Sequence, residues 1–99
     1  MFDLDTIIQG DSLTVLKTFP DASVDLVFTS PPYADNRKKT YQGVPISKYV
    51  EWFLPISNEI KRALKPEGSF VLNIKERAVD GERQTYVIEL ILAMKKQGW

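Results

Sequence analysis

The sequence has no cysteine and no histidine. The first absence excludes disulfides and thiolate catalysis. The second removes the commonest metal ligand and the commonest general base at neutral pH. Charge of one sign is lacking as well, because 13 Lys and Arg balance 13 Asp and Glu. Any attraction to a polyanion must therefore be local. No apolar run is long enough to span a bilayer. Nothing resembles a signal peptide, since Met1 leads into Phe2-Asp3-Leu4-Asp5, with acids where a signal needs cations. A cytoplasmic protein is the expectation. What is present is an ordinary globular mix, 43% hydrophobic and 26% charged over 99 residues, enough for one modest domain. Repeats, low-complexity tracts and interdomain linkers are not visible.

The chain reads as alternating strands and helices. Thr6-Ile7-Ile8 is a short β-branched run closed by Gln9-Gly10-Asp11. Asp11 or Ser12 can cap a short helix through Phe19, because a side-chain oxygen accepts the free amides of a first turn. Pro20-Asp21 breaks the chain. Val24 to Phe28 form a second strand, and the consecutive Leu26-Val27-Phe28 suits burial on both faces, as in a parallel sheet. A polar loop runs to roughly Ile46. Ser47 then caps a helix over Lys48 to Leu64, in which Tyr49, Phe53, Ile56, Ile60 and Ala63 recur at helical spacing and which Pro55 should kink or divide. Lys65-Pro66-Glu67-Gly68 has the signature of a tight turn. Phe70 to Ile74 make a third strand. Asp80-Gly81-Glu82 open onto a last helix, with Tyr86 and Met94 on its core side, Lys95-Lys96 at its negative end and Gly98 to stop it. The order β-α-β-α-β-α predicts an α/β layered fold with parallel strands and right-handed crossovers.

In such sheets ligands bind beyond the carboxyl ends of the strands. Three segments leave those ends: Gly10-Asp11-Ser12, Ser30-Pro31-Pro32-Tyr33 and Asn73-Ile74-Lys75-Glu76. Proline fixes φ, has no amide hydrogen and forces its predecessor to be extended. Ser30-Pro31-Pro32 is thus a stiff exit whose Ser30 hydroxyl and a free carbonyl can face one small volume, with the flat ring of Tyr33 nearby. Such a corner suits a planar ring bearing an exocyclic amine. The plainer reading is a strand-ending loop. Asp11 is either a helix cap or a ligand contact, and Arg37-Lys38-Lys39 is either a solvated loop or an anion contact. Asn73 and Lys75 end the third strand near this region with no chemistry assigned to them.

Thr29-Ser30-Pro31-Pro32-Tyr33 resembles the catalytic motif of amino-group DNA methyltransferases, which methylate N4 of cytosine or N6 of adenine from S-adenosyl-L-methionine. Gly10-Asp11-Ser12-Leu13 lies upstream as in the permuted group, where the catalytic half precedes the cofactor motif. Leu64-Lys65-Pro66-Glu67-Gly68-Ser69-Phe70-Val71 is similar to the segment after the catalytic motif, and Arg37-Lys38-Lys39 with Tyr41 to a loop of N4-cytosine members. The resemblance implies a partial Rossmann-like α/β methyltransferase fold, with a mostly parallel sheet and flanking helices. It implies catalytic roles for Ser30, Pro31, Pro32 and Tyr33. It also implies cofactor binding by Asp11 and Ser12, and contact of Arg37, Lys38 and Lys39 with double-stranded DNA. Ser30, where adenine enzymes more often carry Asp or Asn, favours cytosine N4; N6-adenine is the alternative.

The family's Phe-x-Gly-x-Gly cofactor loop is nowhere in residues 1–99. Cofactor binding is therefore expected to be incomplete, and the isolated chain to be a nearly inactive catalytic portion. In the family, two strands from outside this portion separate the strand before Asp11 from the strand before Ser30. Alone, the chain either pairs those strands directly or leaves edges open to self-association or to a complementary methyltransferase chain. A non-catalytic assembly fragment or a decayed remnant are the other expectations.

Overall fold

The computed structural model describes residues 4–32 and 44–99. In chain order the elements are helix α1 (Ser12–Leu16), strand β1 (Val24–Thr29), a 3-10 turn (Ile46–Lys48) and helix α2 (Tyr49–Ala63). Strand β2 (Leu64–Leu72), strands β3 (Ala78–Val79) and β4 (Glu82–Arg83), and helix α3 (Tyr86–Lys96) follow. Strands β1 and β2 pair in parallel, and β3 and β4 form a small antiparallel hairpin. The α/β layering with a parallel pair is as the alternating pattern predicts.

Helix α2 organises the core. Tyr49, Phe53, Ser57, Ile60 and Ala63 recur at helical spacing and are buried. Tyr49 and Phe53 join Tyr86 and Leu90 of α3 in one cluster, with Phe70, Leu72 and Met94 packed against it. The Tyr49 and Tyr86 rings lie 5.0 Å apart and tilted by 56°, an arrangement that adds to their area burial. Each such side chain contributes about 1.5–3 kcal/mol on full burial. α3 ends as expected of Gly98, at φ 107°. The Gly98 amide donates to the Lys95 carbonyl and the Trp99 amide to that of Met94, a Schellman closure. Trp99 then folds back, its ring 5.2 Å from Phe70 and its indole N–H donating to Ser57 Oγ at 2.8 Å.

Several local expectations are corrected. Thr6-Ile7-Ile8 forms no strand, and Ile7 is 99% exposed. A strand requires a ladder partner, and among the described residues none lies beside it. β1 is not covered on both faces: Leu26 and Phe28 are 58% and 66% exposed. With Val27 opposite Phe70 and Phe28 opposite Val71, alternation puts Val27, Phe70 and Leu72 on the helix side and Leu26, Phe28 and Val71 on a bare side. α1 stops at Leu16 and passes through two i+3 turns to Phe19. Ser47 lies within the 3-10 turn and does not cap α2, which starts at Tyr49 without a side-chain cap. Pro55 does not divide α2; it is the seventh residue of the helix, where its missing N–H leaves the Glu51 carbonyl without a donor.

Lys65-Pro66-Glu67-Gly68 lies within β2 rather than in a free turn. Its turn character survives as an irregularity, because Val24 opposes Leu64 while Leu26 already opposes Ser69. The extra residues bulge against β1, and a Cβ at Gly68 would lie 3.0 Å from the Asp25 carbonyl oxygen. The third strand ends at Leu72, two residues before Ile74. Asp80-Gly81 does not open a helix: with φ of 53° and 78° the pair is the two-residue turn of the β3–β4 hairpin, and α3 begins at Tyr86.

Candidate active site

β1 delivers its last residues to a cleft of about 450 Å³, within the range of small-molecule sites. One wall is α1, through Ser12 and Leu16; another is α2, through Trp52, Phe53, Ile56 and Ile60. Val27 to Thr29 and then Ser30-Pro31-Pro32 form the third. The cleft thus brings together Ser12 and the Ser-Pro-Pro exit, which lie eighteen or more positions apart in sequence.

Three bonds hold the exit. The Tyr49 hydroxyl donates to the Pro32 carbonyl at 2.6 Å, fixing the end of the diproline to the core. Asn73 Nδ2 donates to Ser30 Oγ at 3.0 Å, and the Asn73 amide donates to the Thr29 carbonyl at 2.9 Å. The second pair staples the ends of β1 and β2 together and orients the hydroxyl. One Ser30 lone pair is engaged by Asn73; the second can accept another hydrogen. Pro31 is buried and Ser30 exposed, and no described residue donates to the Pro31 carbonyl. Ser30, its hydroxyl oriented by Asn73, and the buried Pro31 are thus neighbours in the lining of an apolar cleft. Tyr49 and Asn73 escaped sequence reasoning in these roles. Tyr49 sits in a stripe that already accounts for it as core. Asn73 could have been found as the residue immediately after a strand that pairs with the motif strand.

Asp11 is the cap of α1: the Thr14 amide and hydroxyl both donate to its Oδ2, at 3.1 and 3.2 Å. Both bonds fall on one oxygen. Ser12 lines the cleft while Asp11 stands at its margin. Tyr33 and the basic cluster Arg37-Lys38-Lys39 lie outside the described residues. Among the described residues no cluster of acidic side chains could hold a metal ion, and no helix is long and apolar enough to cross a membrane.

Comparisons with known proteins bear on the family and the fold. Residues 24–99 match the model of a DNA methylase family of the N6/N4 type. The type II methyltransferase M.PvuII of Proteus hauseri is 41% identical over 87 residues, which cover 86% of this chain and 26% of the relative. The DNA adenine methyltransferase YhdJ of Escherichia coli K12 is 38% identical over 76 residues, 72% of this chain and 25% of the relative. A solved structure of the PvuII DNA methyltransferase, described as cytosine-N4-specific, superposes with a TM-score of 0.74 at 39% identity, covering 88% of this chain and 32% of that one. The chain spans about a quarter of the length of these curated relatives and a third of the solved chain. With its Ser-Pro-Pro exit, its parallel strand pair and these matches, the chain belongs to the N6/N4 DNA methylase family.

Proposed function

We propose that the chain carries the catalytic part of an S-adenosyl-L-methionine-dependent DNA methyltransferase whose target is the exocyclic N4 of a cytosine flipped out of the duplex. The observation that carries this reading is the cleft in which Ser12 meets Ser30-Pro31-Pro32. An aromatic amine is a poor nucleophile because its lone pair is delocalised into the ring. Ser30 Oγ and the Pro31 carbonyl would accept its two hydrogens, which favours a more tetrahedral nitrogen with its lone pair projecting outward. Neither a thiolate nor a histidine base is required, since the proton is released after transfer. Orientation of this kind supplies about 7–11 kcal/mol of a barrier when the geometry is tight. Flipping the base costs a few kcal/mol, and stacking on Tyr33 would return about 1–3 kcal/mol.

The cofactor, when bound, supplies an electrophilic methyl group and leaves as a neutral thioether. The residues present fit part of it. Ser12 lines one wall, next in sequence to Asp11, whose Oδ2 alone takes the two Thr14 bonds, and Leu16, Phe53, Ile56 and Ile60 offer an apolar bed for a flat ring. The family's glycine-rich cofactor loop, Phe-x-Gly-x-Gly, is not among residues 1–99. The rest of the site is therefore proposed to come from segments of the family outside these residues, on this chain or on a complementary methyltransferase chain, and Arg37-Lys38-Lys39 is proposed as a contact to DNA phosphates.

The test is reconstitution. The isolated 99-residue chain with tritiated cofactor and DNA should give little or no transfer. Addition of a polypeptide bearing Phe-x-Gly-x-Gly should restore it, and nucleoside analysis should then find N4-methylcytosine. Ser30→Ala should lower the restored rate by about 10²-fold or more, as loss of an oriented hydrogen-bonding group does; unchanged turnover would refute the acceptor role. The second reading, N6-adenine methylation, is favoured by the likeness to YhdJ, and N6-methyladenine in the same assay would establish it.

A further inference from the structure

We infer that Arg62 is a positioning residue of the cleft, locking α1 into place as the wall that carries Asp11 and Ser12. The meaning of that wall rests on the cofactor reading above; the clamp itself rests on geometry.

A five-residue helix has no stability of its own, and α1 contains no buried residue. Its orientation must come from outside. Asp11 fastens the first turn. The other end is held by a side chain from α2. Arg62 Nη2 donates to the Leu16 carbonyl at 3.0 Å and Nη1 to the Phe19 carbonyl at 2.8 Å. Leu16 is also one of the residues lining the cleft, so the bond acts directly on its wall. Leu16 is the last residue of the helix and Phe19 closes the turn after it, so the cation sits at the negative end of the helix dipole.

The guanidinium is aimed by acids on both sides. Asp21 Oδ1 lies 2.6 Å from Nη1, and Glu59, one turn earlier on α2, receives Nε through both oxygens at 3.2 and 3.3 Å. The hydrogen bond from Asp21, and then that from Glu59, raise the Arg62 pKa further, so its charge is constant at any working pH. Its backbone joins in, for the Ala22 amide donates to the Arg62 carbonyl at 3.0 Å. Ala22 itself sits at φ 50°, a left-handed backbone that a residue with a Cβ keeps only where its surroundings hold it. The α1–β1 connection is therefore pinned by one residue from three directions. Lysine cannot substitute, because a point cation lacks the fork that reaches two carbonyls and two carboxylates together.

The experiment is amide hydrogen exchange on the full 99-residue chain, with Arg62→Gln and Arg62→Lys. Both variants should speed exchange at Val15, Lys17 and Thr18 by tenfold or more while the α3 amides around Leu90 keep their rates. Unchanged exchange in α1 overturns the inference. A uniform rise that includes α3 also overturns it, since that marks plain destabilisation. Recovery by lysine overturns the role of the fork. A second arm titrates S-adenosylhomocysteine and follows the Thr14 and Val15 amides. Binding that weakens tenfold or more in both variants supports the positioning role, and equal binding overturns it. If the unmodified chain shows no shift at those amides, the reading of this wall as the cofactor side fails, and the exchange arm still decides the clamp.

Discussion

Single atoms decide how rigid the diproline exit is. Proline removes donors and fixes φ, but a stiff segment still needs an anchor, and the Tyr49 hydroxyl provides one at the Pro32 carbonyl. Tyr49→Phe keeps the ring packing and deletes that bond. It should lower stability by about 0.5–1.5 kcal/mol, read as a denaturation midpoint at unchanged m-value. In the reconstituted enzyme it should also cost turnover, because Pro31 would be held from one side only. Ser30 and Pro31 were legible because their chemistry is local: a proline pair after a strand dictates its own geometry whatever surrounds it. Asp11 was legible as a cap for the same reason. Asn73 was not, because its partner is 43 positions away and only the strand pairing brings them together.

Elements were read well where periodicity spans several turns and poorly where a short signal had two meanings. The stripe on α2 gave Tyr49, Phe53, Ile60 and Ala63 correctly, and the helix tolerates Pro55. Lys65 to Gly68 carries turn residues yet lies within β2, as the irregular stretch between Leu64 and Ser69, whose pairing with β1 holds the strand on either side of it. The irregularity makes Gly68 indispensable: an added Cβ would stand 2.9 Å from Leu64 Cδ2, 3.0 Å from the Asp25 carbonyl oxygen and 3.1 Å from that of Lys65. Gly68→Ala should destabilise by about 1–3 kcal/mol, measured by thermal melting. Asp80-Gly81 was misread because the same dipeptide precedes helices and makes hairpins; two-residue strands leave no pattern to choose between them. That hairpin is braced by Arg83, whose Nε and Nη2 each donate to Glu76 at 2.7 Å. The hydrogen bond from Arg83 lowers the Glu76 pKa below 4.5. A depressed carboxyl pKa lends stability that is complete above the unfolded value and lost as pH falls through the folded one. The protection factor of the Gln84 amide, which is bonded to the Arg77 carbonyl, should accordingly fall on acidification below about pH 4.5 once the intrinsic slowing of exchange in acid is divided out, and Glu76→Gln should abolish that dependence.

Across the whole molecule the main surprise is one-sided burial. A consecutive apolar strand implies two covered faces, yet among the described residues the helical layer covers one face of β1 and leaves the other open. Leu26, Phe28 and Val71 remain open, and the isolated β-branched residues Thr6 to Ile8 have no strand beside them. Sequence patterning records what a residue is suited to meet and is silent on whether the partner is at hand. The bare face should drive self-association of the 99-residue chain. Sedimentation should show oligomers that shrink in Leu26→Thr/Phe28→Thr, with α2–α3 stability nearly unchanged; oligomers of unaltered size would clear this face of the contact. The seat of Trp99, with its ring beside Phe70 and its nitrogen on Ser57, turns the last side chain into a built-in optical gauge. Undocking of α3 strips that indole of its neighbours and reddens its emission, so in a Trp52→Phe background the colour of one fluorophore reports whether the helical layer is seated on the sheet.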